Sequence, residues 1–357
     1  MKRLLAIVFT LALASGAATA EKGTGGGTGA EFLRLGMGAR TAAMGDAGTA
    51  APEGAASLHY NPAGLAWITR TEIDAMYQNY ALDIDQGTFG WAKPWDDDAG
   101  WGLSVSYVDY GTNVRTTITN AGGAITGNTA GTFNGIDFSV GASYGQRYGQ
   151  WAWGATLKGV HSDIDNVQAS SLAGDFGLNW FSRSIPLSLG VVVKNFGTNY
   201  HFDRDNTELP VLVRGGAATH LWDGKVNLYA DVEKMIHERA HFLGGGEYWI
   251  GDYLAFRAGY DGRIDIDDGF TGGIGARWDH LSVDYAFTPF GKIGDNHRIG
   301  IRYGFDTERR SEFMNTTDRE MERRHETPPP TPPPPGSERR SHRTGWGGGS
   351  PSELIDW

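Results

Sequence analysis

The sequence predicts an all-β chain closed into an antiparallel transmembrane barrel of about fourteen strands, with an N-terminal segment ahead of it. Three observations predict it. Apolar and polar residues alternate over some ten residues at a time from Thr71 to Phe305. The alternating segments are even in number and joined by gaps of unequal length. The composition, with 53 Gly, 12 Trp and 14 Tyr and no apolar run of helix-spanning length after the leader, fits a barrel with aromatic girdles better than a soluble core.

Alternation of period two puts one face of a strand against an apolar phase and the other against a polar one. In Trp101-Gly102-Leu103-Ser104-Val105-Ser106-Tyr107 the large apolar residues take every second place. Ile136, Phe138 and Val140 alternate with Asp137, Ser139 and Gly141, and Leu281, Val283, Tyr285 and Phe287 with Ser282, Asp284 and Ala286. In a lipid-exposed barrel the apolar face points out and the polar face lines the lumen. The inward set is then Asp137, Lys158, Asp175, Lys194, Arg214, Asp231, Glu233, Glu247, Arg277, Asp284, Arg298 and Arg302. Its mixed signs imply a lumen cross-linked by ion pairs.

Fourteen segments begin near 72, 86, 100, 133, 151, 171, 187, 211, 225, 241, 253, 269, 281 and 296. An even total lets a single chain close with no bare edge in lipid. The gaps at 111–132, 162–170, 197–210 and 261–268 are long and read as outer loops. Those at 147–150, Trp222-Asp223-Gly224, Gly251-Asp252 and Asp279-His280 are short and read as periplasmic turns. A soluble all-β repeat protein has no reason to sort its connections in this way.

Four zones frame this barrel. Residues 1–20 carry a basic start (Lys2, Arg3), an apolar core (Leu4 to Leu13) and the small-residue pattern Ala18-Thr19-Ala20, which together read as a secretory signal. Residues 21–70 are a Gly/Thr-rich lead and an Ala/Gly-rich stretch with helical spacing in places; 71–305 form the barrel; 306–357 are a charged, Pro-rich tail. By strand parity the tail starts in the periplasm, and Pro328 to Pro335 is a stiff spacer. The last strand, Arg298-Ile299-Gly300-Ile301-Arg302-Tyr303-Gly304-Phe305, resembles the signal read by the barrel assembly machinery, with Arg298, Gly300, Tyr303 and Phe305 as its elements. That signal usually ends a protein, whereas here some fifty residues follow.

Net charge is −11, or −13 once Lys2 and Arg3 leave with the signal, which argues against a nucleic-acid partner. Without cysteine the chain has no disulfide, thiol nucleophile or thiolate metal site. His237-Glu238-Arg239-Ala240-His241 fits H-E-x-x-H, but that zinc chemistry needs both histidines on one helical face, and here the motif joins two strands. Asp261, Asp265, Asp267 and Asp268, like Asp203, Asp205, Asn206 and Glu208, read as solvated acidic loops without the spacing of a calcium loop. Asp96-Asp97-Asp98 reads as a solvent-facing turn, and neither a G-x-S-x-G elbow nor a Walker loop occurs. The expectation is a non-enzyme with no catalytic residues, cofactor or metal.

One N-terminal block is specific. Phe32-Leu33-Arg34-Leu35-Gly36-Met37-Gly38-Ala39-Arg40-Thr41-Ala42-Ala43-Met44-Gly45-Asp46-Ala47 leads to Asn61-Pro62-Ala63-Gly64-Leu65-Ala66. It resembles the opening of the PorV/PorQ family of FadL-like outer-membrane barrels, and the resemblance extends over the barrel but not the tail. It implies fourteen strands with the N-terminal segment folded inside as a hatch. The motif Asn61, Pro62, Ala63 and Gly64 marks that hatch: Pro62 cannot donate to a ladder, and Asn61 can cap a turn. The resemblance also implies one of two roles, attachment of secreted cargo proteins in type IX-like export or passage of hydrophobic small molecules. A third role is a structural barrel tethered to the periplasm by the tail. The expected surroundings are outer-membrane lipid and the assembly machinery.

Overall fold

The computed structural model describes residues 28–80, 84–121, 124–202, 205–236, 238–264, 268–291 and 294–305. Residues 1–20, read above as a secretory signal, and the Pro-rich tail lie outside them. Sixteen strands follow in chain order: β1 (Thr71–Tyr80), β2 (Ile84–Pro94), β3 (Ala99–Ala121), β4 (Ala124–Tyr148), β5 (Trp151–Ile164), β6 (Val167–Phe181), β7 (Leu187–Gly197) and β8 (Tyr200–Phe202). Then come β9 (Asp205–Thr207), β10 (Leu212–Leu221), β11 (Val226–Met235), β12 (Ala240–Ile250), β13 (Leu254–Asp261), β14 (Phe270–Trp278), β15 (Leu281–Pro289) and β16 (Asp295–Phe305). Fourteen of them form one closed antiparallel barrel in which each strand pairs with the next and β7 pairs with β10; β8 and β9 form a separate small hairpin. The cylinder closes where β1 meets β16, from Thr71 opposite Phe305 to Asn79 opposite His297.

Alternation decides which face is which. Leu103, Val105, Tyr107, Ile136, Phe138, Val140, Leu281 and Val283 are exposed on the outside, while Ser104, Ser106, Asp137, Ser139 and Asp284 between them are buried. No helix among the described residues is long and apolar enough to cross a membrane. Backbone groups in hydrocarbon must be satisfied internally, and a closed barrel achieves that. Leu157, 65% exposed at the middle of β5, should therefore meet lipid tails. Leu157→Arg is expected to destabilise the folded barrel in lipid vesicles by about 2–4 kcal/mol, read by equilibrium urea unfolding. No loss of stability would mean that this belt faces water.

The two rims differ. At one, tight turns at 95–98, 149–150, 222–225, 251–253 and 279–280 use left-handed residues such as Gly149, Asp223, Gly251 and Asp279. Trp95, Trp151, Trp222, Tyr253 and Trp278 stand exposed around this short-turn rim. The opposite rim corrects two expectations. Residues 111–132 are not a loop; β3 and β4 run on as a two-stranded ribbon to Ala121 opposite Ala124, with register shifts near Asp109 and Val114. Strands of 23 and 25 residues are more than twice the roughly 9–11 needed to cross a bilayer. The many threonines of this stretch, β-branched and suited to strands, favour the extended ladder there. Nor is 162–170 a long loop: β5 and β6 continue to Ile164 opposite Val167, and Asp165 turns the corner with φ of 60°. The gap 197–210 is a long connection, and it holds the β8–β9 hairpin.

Residues 31–67 fill the inside. Short helical turns at Glu31–Arg34, Ala39–Ala42, Gly54–Ala56, Ser57–Tyr60 and Pro62–Trp67 alternate with bends. Ala43, Met44, Ala47, Thr49, Ala55, Asn61, Ala63 and Leu65 are completely buried there.

Candidate functional site

The contact between this inner segment and the wall is built first from missing side chains. Inward glycines stand where the segment passes. A Cβ on Gly154 would lie 2.3 Å from the Pro62 carbonyl carbon, one on Gly190 2.4 Å from the Thr49 carbonyl oxygen, and one on Gly259 2.2 Å from the Gly45 nitrogen. Gly245 meets the Met44 backbone in the same way, while Gly177 faces the Asn61 side chain and Gly273 the Ala43 Cβ. The segment answers with its own small residues. Gly45 holds φ of +69°, and a Cβ there would lie 2.2 Å from the Tyr260 carbonyl oxygen and 2.6 Å from that of Gly244. Backbone thus lies on backbone at β5, β7, β12 and β13.

Asn61 fixes the last turn. Its Oδ1 accepts from the Ala63 N–H at 3.1 Å, and its Nδ2 donates to the Thr49 and Leu178 carbonyls at 3.0 and 3.3 Å. One side chain thereby caps the turn, ties two parts of the inner segment and holds β6. Pro62, at the first position of that turn, has no N–H to leave unpaired. Ala63 and Gly64 are buried behind it, and Gly64 approaches Pro52 and Ser57.

Charges complete the seat in three groups. Arg40 of the inner segment bonds Glu247 at 2.5 and 3.1 Å, the Tyr229 hydroxyl at 3.1 Å and Glu53 at 2.9 Å. Glu247 also accepts from Arg257 at 3.0 Å, Arg257 reaches Asp284 at 2.8 Å, and Glu53 meets Arg302, which reaches Asp74 at 3.3 Å. A second group centres on Asp46, which takes Arg263 at 2.7 Å, Arg214 at 3.6 Å and the Tyr60 hydroxyl at 2.7 Å. Arg214 in turn pairs with Glu233. Burial pushes the Asp46 carboxyl up, but Arg263, Arg214 and Arg298 outweigh that and hold it well below the usual carboxylate range. In the third group Lys158 pairs with Asp175 at 2.8 Å and donates to Asn195 at 2.6 Å, while Lys194 donates to the His59 carbonyl at 2.7 Å.

The remaining residues expected in the lumen are placed as follows. Asp231 accepts from the Gly48 and Thr49 N–H groups at 3.0 and 3.1 Å. Asp137 accepts from Tyr110 at 2.7 Å and from Ser162. Arg298 donates to the Gly36 carbonyl at 3.4 Å. Arg277 is exposed, with its guanidinium 4.2 Å from the Trp249 ring centre. In the closing strand Tyr303 and Phe305 face outward, and Gly300 faces Ala39.

Sequence reasoning missed Arg40, Asp46, Glu53, Asp74 and Arg257 as partners, and it missed the glycine seats altogether. Arg257 and Asp74 share the parity of the inward set and could have been found from it. The enclosed space lined by Arg40, Glu53, Asp74, Asp284 and Arg302 is about 20 Å³, room for one water. At the ribbon end the lining changes character: Val108, Val160, Ala169 and Ala173 face inward and are covered by Phe32, Leu33, Tyr200 and Leu209.

Elsewhere the chemical motifs find local partners. Glu238 pairs with Arg34 at 2.8 Å, His241 Nδ1 lies 2.8 Å from the Gly262 carbonyl oxygen, and His237 lies outside the described residues. Asp261 pairs with Arg263 at 2.6 Å; Asp265, Asp267 and Asp203 lie outside the described residues, as do the side chains of Asp205 and Asn206. No group of three metal-binding side chains occurs among the described residues.

Fold and site together define a closed fourteen-strand antiparallel barrel with its N-terminal segment packed inside, a fold it shares with a FadL homologue. The chain belongs to the uncharacterised protein family UPF0164, whose model matches residues 7–230. Among solved structures it is similar to the toluene transporter TbuX of Ralstonia pickettii, at 13% identity and TM-score 0.58 over 76% of this chain and 99% of that one. It is also similar to the toluene transporter TodX of P. putida, at 12% identity and TM-score 0.57 over 76% and 99%. A FadL homologue of Pseudomonas aeruginosa aligns at 12% identity and TM-score 0.54 over 76% and 98%. These likenesses concern the fold. No curated protein matches in sequence.

Proposed function

We propose that the chain is a non-enzymatic outer-membrane channel for small hydrophobic molecules, held shut by its hatch, with the short-turn rim toward the periplasm. The observation that carries this reading is the apolar outer lining. In a lumen otherwise crossed by ion pairs, Val108, Val160, Ala169 and Ala173 offer an inward apolar surface that the chain covers with its own Phe32 and Leu33. A polar pore has no use for such a patch, whereas an apolar solute binds there by the surface it removes from water. Passage then requires the hatch to yield.

The test uses a lock. The protein has no cysteine, and a Cβ on Gly300 would lie 3.1 Å from that of Ala39, near the span of a disulfide. Cells making the wild-type chain are expected to take up labelled toluene several-fold faster than cells without it. In the Ala39→Cys/Gly300→Cys variant, oxidation should remove that gain and a reductant should restore it. Uptake independent of the chain, or unaffected by the lock, overturns the reading.

A second reading, an attachment barrel for secreted cargo of the PorV kind, draws on the solid lumen and on the ribbon of β3 and β4 that projects from the rim. Its mark is cross-linking of secreted proteins to a probe at Asn113 in cells that show no toluene uptake.

A further inference from the structure

The short-turn rim carries a cleft unconnected with the apolar patch at the other end. It measures about 510 Å³, within the usual size of a small-molecule site, and lies where the hatch ends. Trp67, last residue of the final hatch turn, meets the Phe181 ring with centroids 4.4 Å apart, and the Arg147 guanidinium lies 4.7 Å from its ring centre. Its floor is held by the Phe181 N–H on the Gln150 carbonyl at 2.9 Å and by the Ser182 N–H on the Leu187 carbonyl at 3.0 Å.

The polar groups of this cleft are unbalanced. Arg147 has its acid, since Nε donates to Asp98 at 2.7 Å and Nη2 donates to the Asp97 carbonyl at 3.1 Å. Arg183 forms no ion pair among the described residues. The buried indole N–H of Trp67 has no hydrogen-bond acceptor among them. Ser182 Oγ accepts from the Ser184 and Ile185 N–H groups, both at 3.3 Å, which leaves its own O–H to donate. One buried donor, the Trp67 indole N–H, thus stands unmatched beside two aromatic rings, and the exposed Arg183 and the Ser182 O–H next to it are free to donate. A buried donor left without a partner costs free energy, and a charge-assisted bond from Arg to a carboxylate is among the stronger remedies.

We infer that this cleft binds a small aromatic carboxylate, its ring against Trp67 and Phe181 and its carboxylate accepting from Arg183, Ser182 and the Trp67 indole. The inference does not rest on the channel reading, because the site is read by binding alone.

The test titrates the full chain in detergent with 4-fluorobenzoate, followed by ¹⁹F line broadening. 4-Fluorobenzyl alcohol serves as the neutral control and trifluoroacetate as the ringless one. Saturable binding of 4-fluorobenzoate is expected, about tenfold tighter than either control, since one charge-assisted contact is worth roughly that factor. Arg183→Gln, at an exposed position, should weaken it about tenfold, and Trp67→Phe, which keeps a ring and loses the N–H, several-fold. Equal binding of the alcohol removes the anion, equal binding of trifluoroacetate removes the ring, and unchanged affinity in Arg183→Gln removes the site; each overturns the inference, as does no binding at all.

Discussion

Glu247→Ala is expected to release the hatch and destabilise the folded protein by about 3–5 kcal/mol, the range for removing one partner of a buried pair. Glu247 and Arg257 keep only 1% of their side chains exposed, and Arg40 keeps 9%. With Glu247 gone, two guanidinium groups face each other where one carboxylate held both, and Asn227 Nδ2 loses its acceptor at 2.8 Å and keeps only the Gly224 carbonyl at 3.1 Å. Asp284 and Glu53 remain as partners on the two flanks, so the loss falls on the junction itself, the link between the hatch and β12. Glu247→Gln keeps the shape and some hydrogen bonds and should fall between. The measurement is urea unfolding in detergent, with the protease sensitivity of residues 31–70 followed in parallel. Wild-type stability together with a protected hatch in Glu247→Ala would show that the pair does not hold the hatch.

Gly259→Val should evict the hatch and leave the barrel standing. Atoms added at Gly259 meet the Gly45 nitrogen and the Met44 carbonyl carbon, both at 2.2 Å. These are backbone atoms, which cannot swing aside as the tip of a side chain can. Overpacking a core usually costs about 1–3 kcal/mol, and here relief is blocked on the wall side too, because β13 is pinned by β12 and β14. The hatch is the part free to move. Conductance in planar bilayers is expected to rise from near zero to that of an open barrel, and cells should become sensitive to large polar antibiotics. Gly159→Val is the control, since a Cβ there meets nothing within 4 Å. A silent Gly259→Val would mean that the lumen has slack that the structure does not contain.

Much of the wall could be read from the chain because lipid imposes a two-residue rhythm that no tertiary detail overrides. The outward Leu103, Ile136 and Val283 are legible from their neighbours alone. The ribbon was illegible for the converse reason. Beyond the bilayer neither face of β3 and β4 must be apolar, so Thr112, Asn113 and Asn134 carry no rhythm and look like loop. Asp165 hid a two-residue turn because a lone Asp beside Asn serves a loop equally well. In the site, Lys158 and Arg214 stood out as charges inside strands, whereas the pairing of Arg40 with Glu247, 207 positions apart, exists only once the chain has folded back. The seats at Gly154, Gly190 and Gly259 were the hardest to see. A glycine in a strand looks like weakness until the neighbour it makes room for is in place.

That backbone-on-backbone fit bears on how such a protein can change over generations. Bulk gained by the cylinder at Gly259 or Gly154 cannot be offset by trimming a side chain of the insert, because what lies opposite is the backbone of Gly45 and Pro62. Kindred chains that keep the insert should therefore keep glycine at these wall positions even where little else is shared. A lineage that lost its insert would be free to fill those places with ordinary side chains, and their return would record the loss.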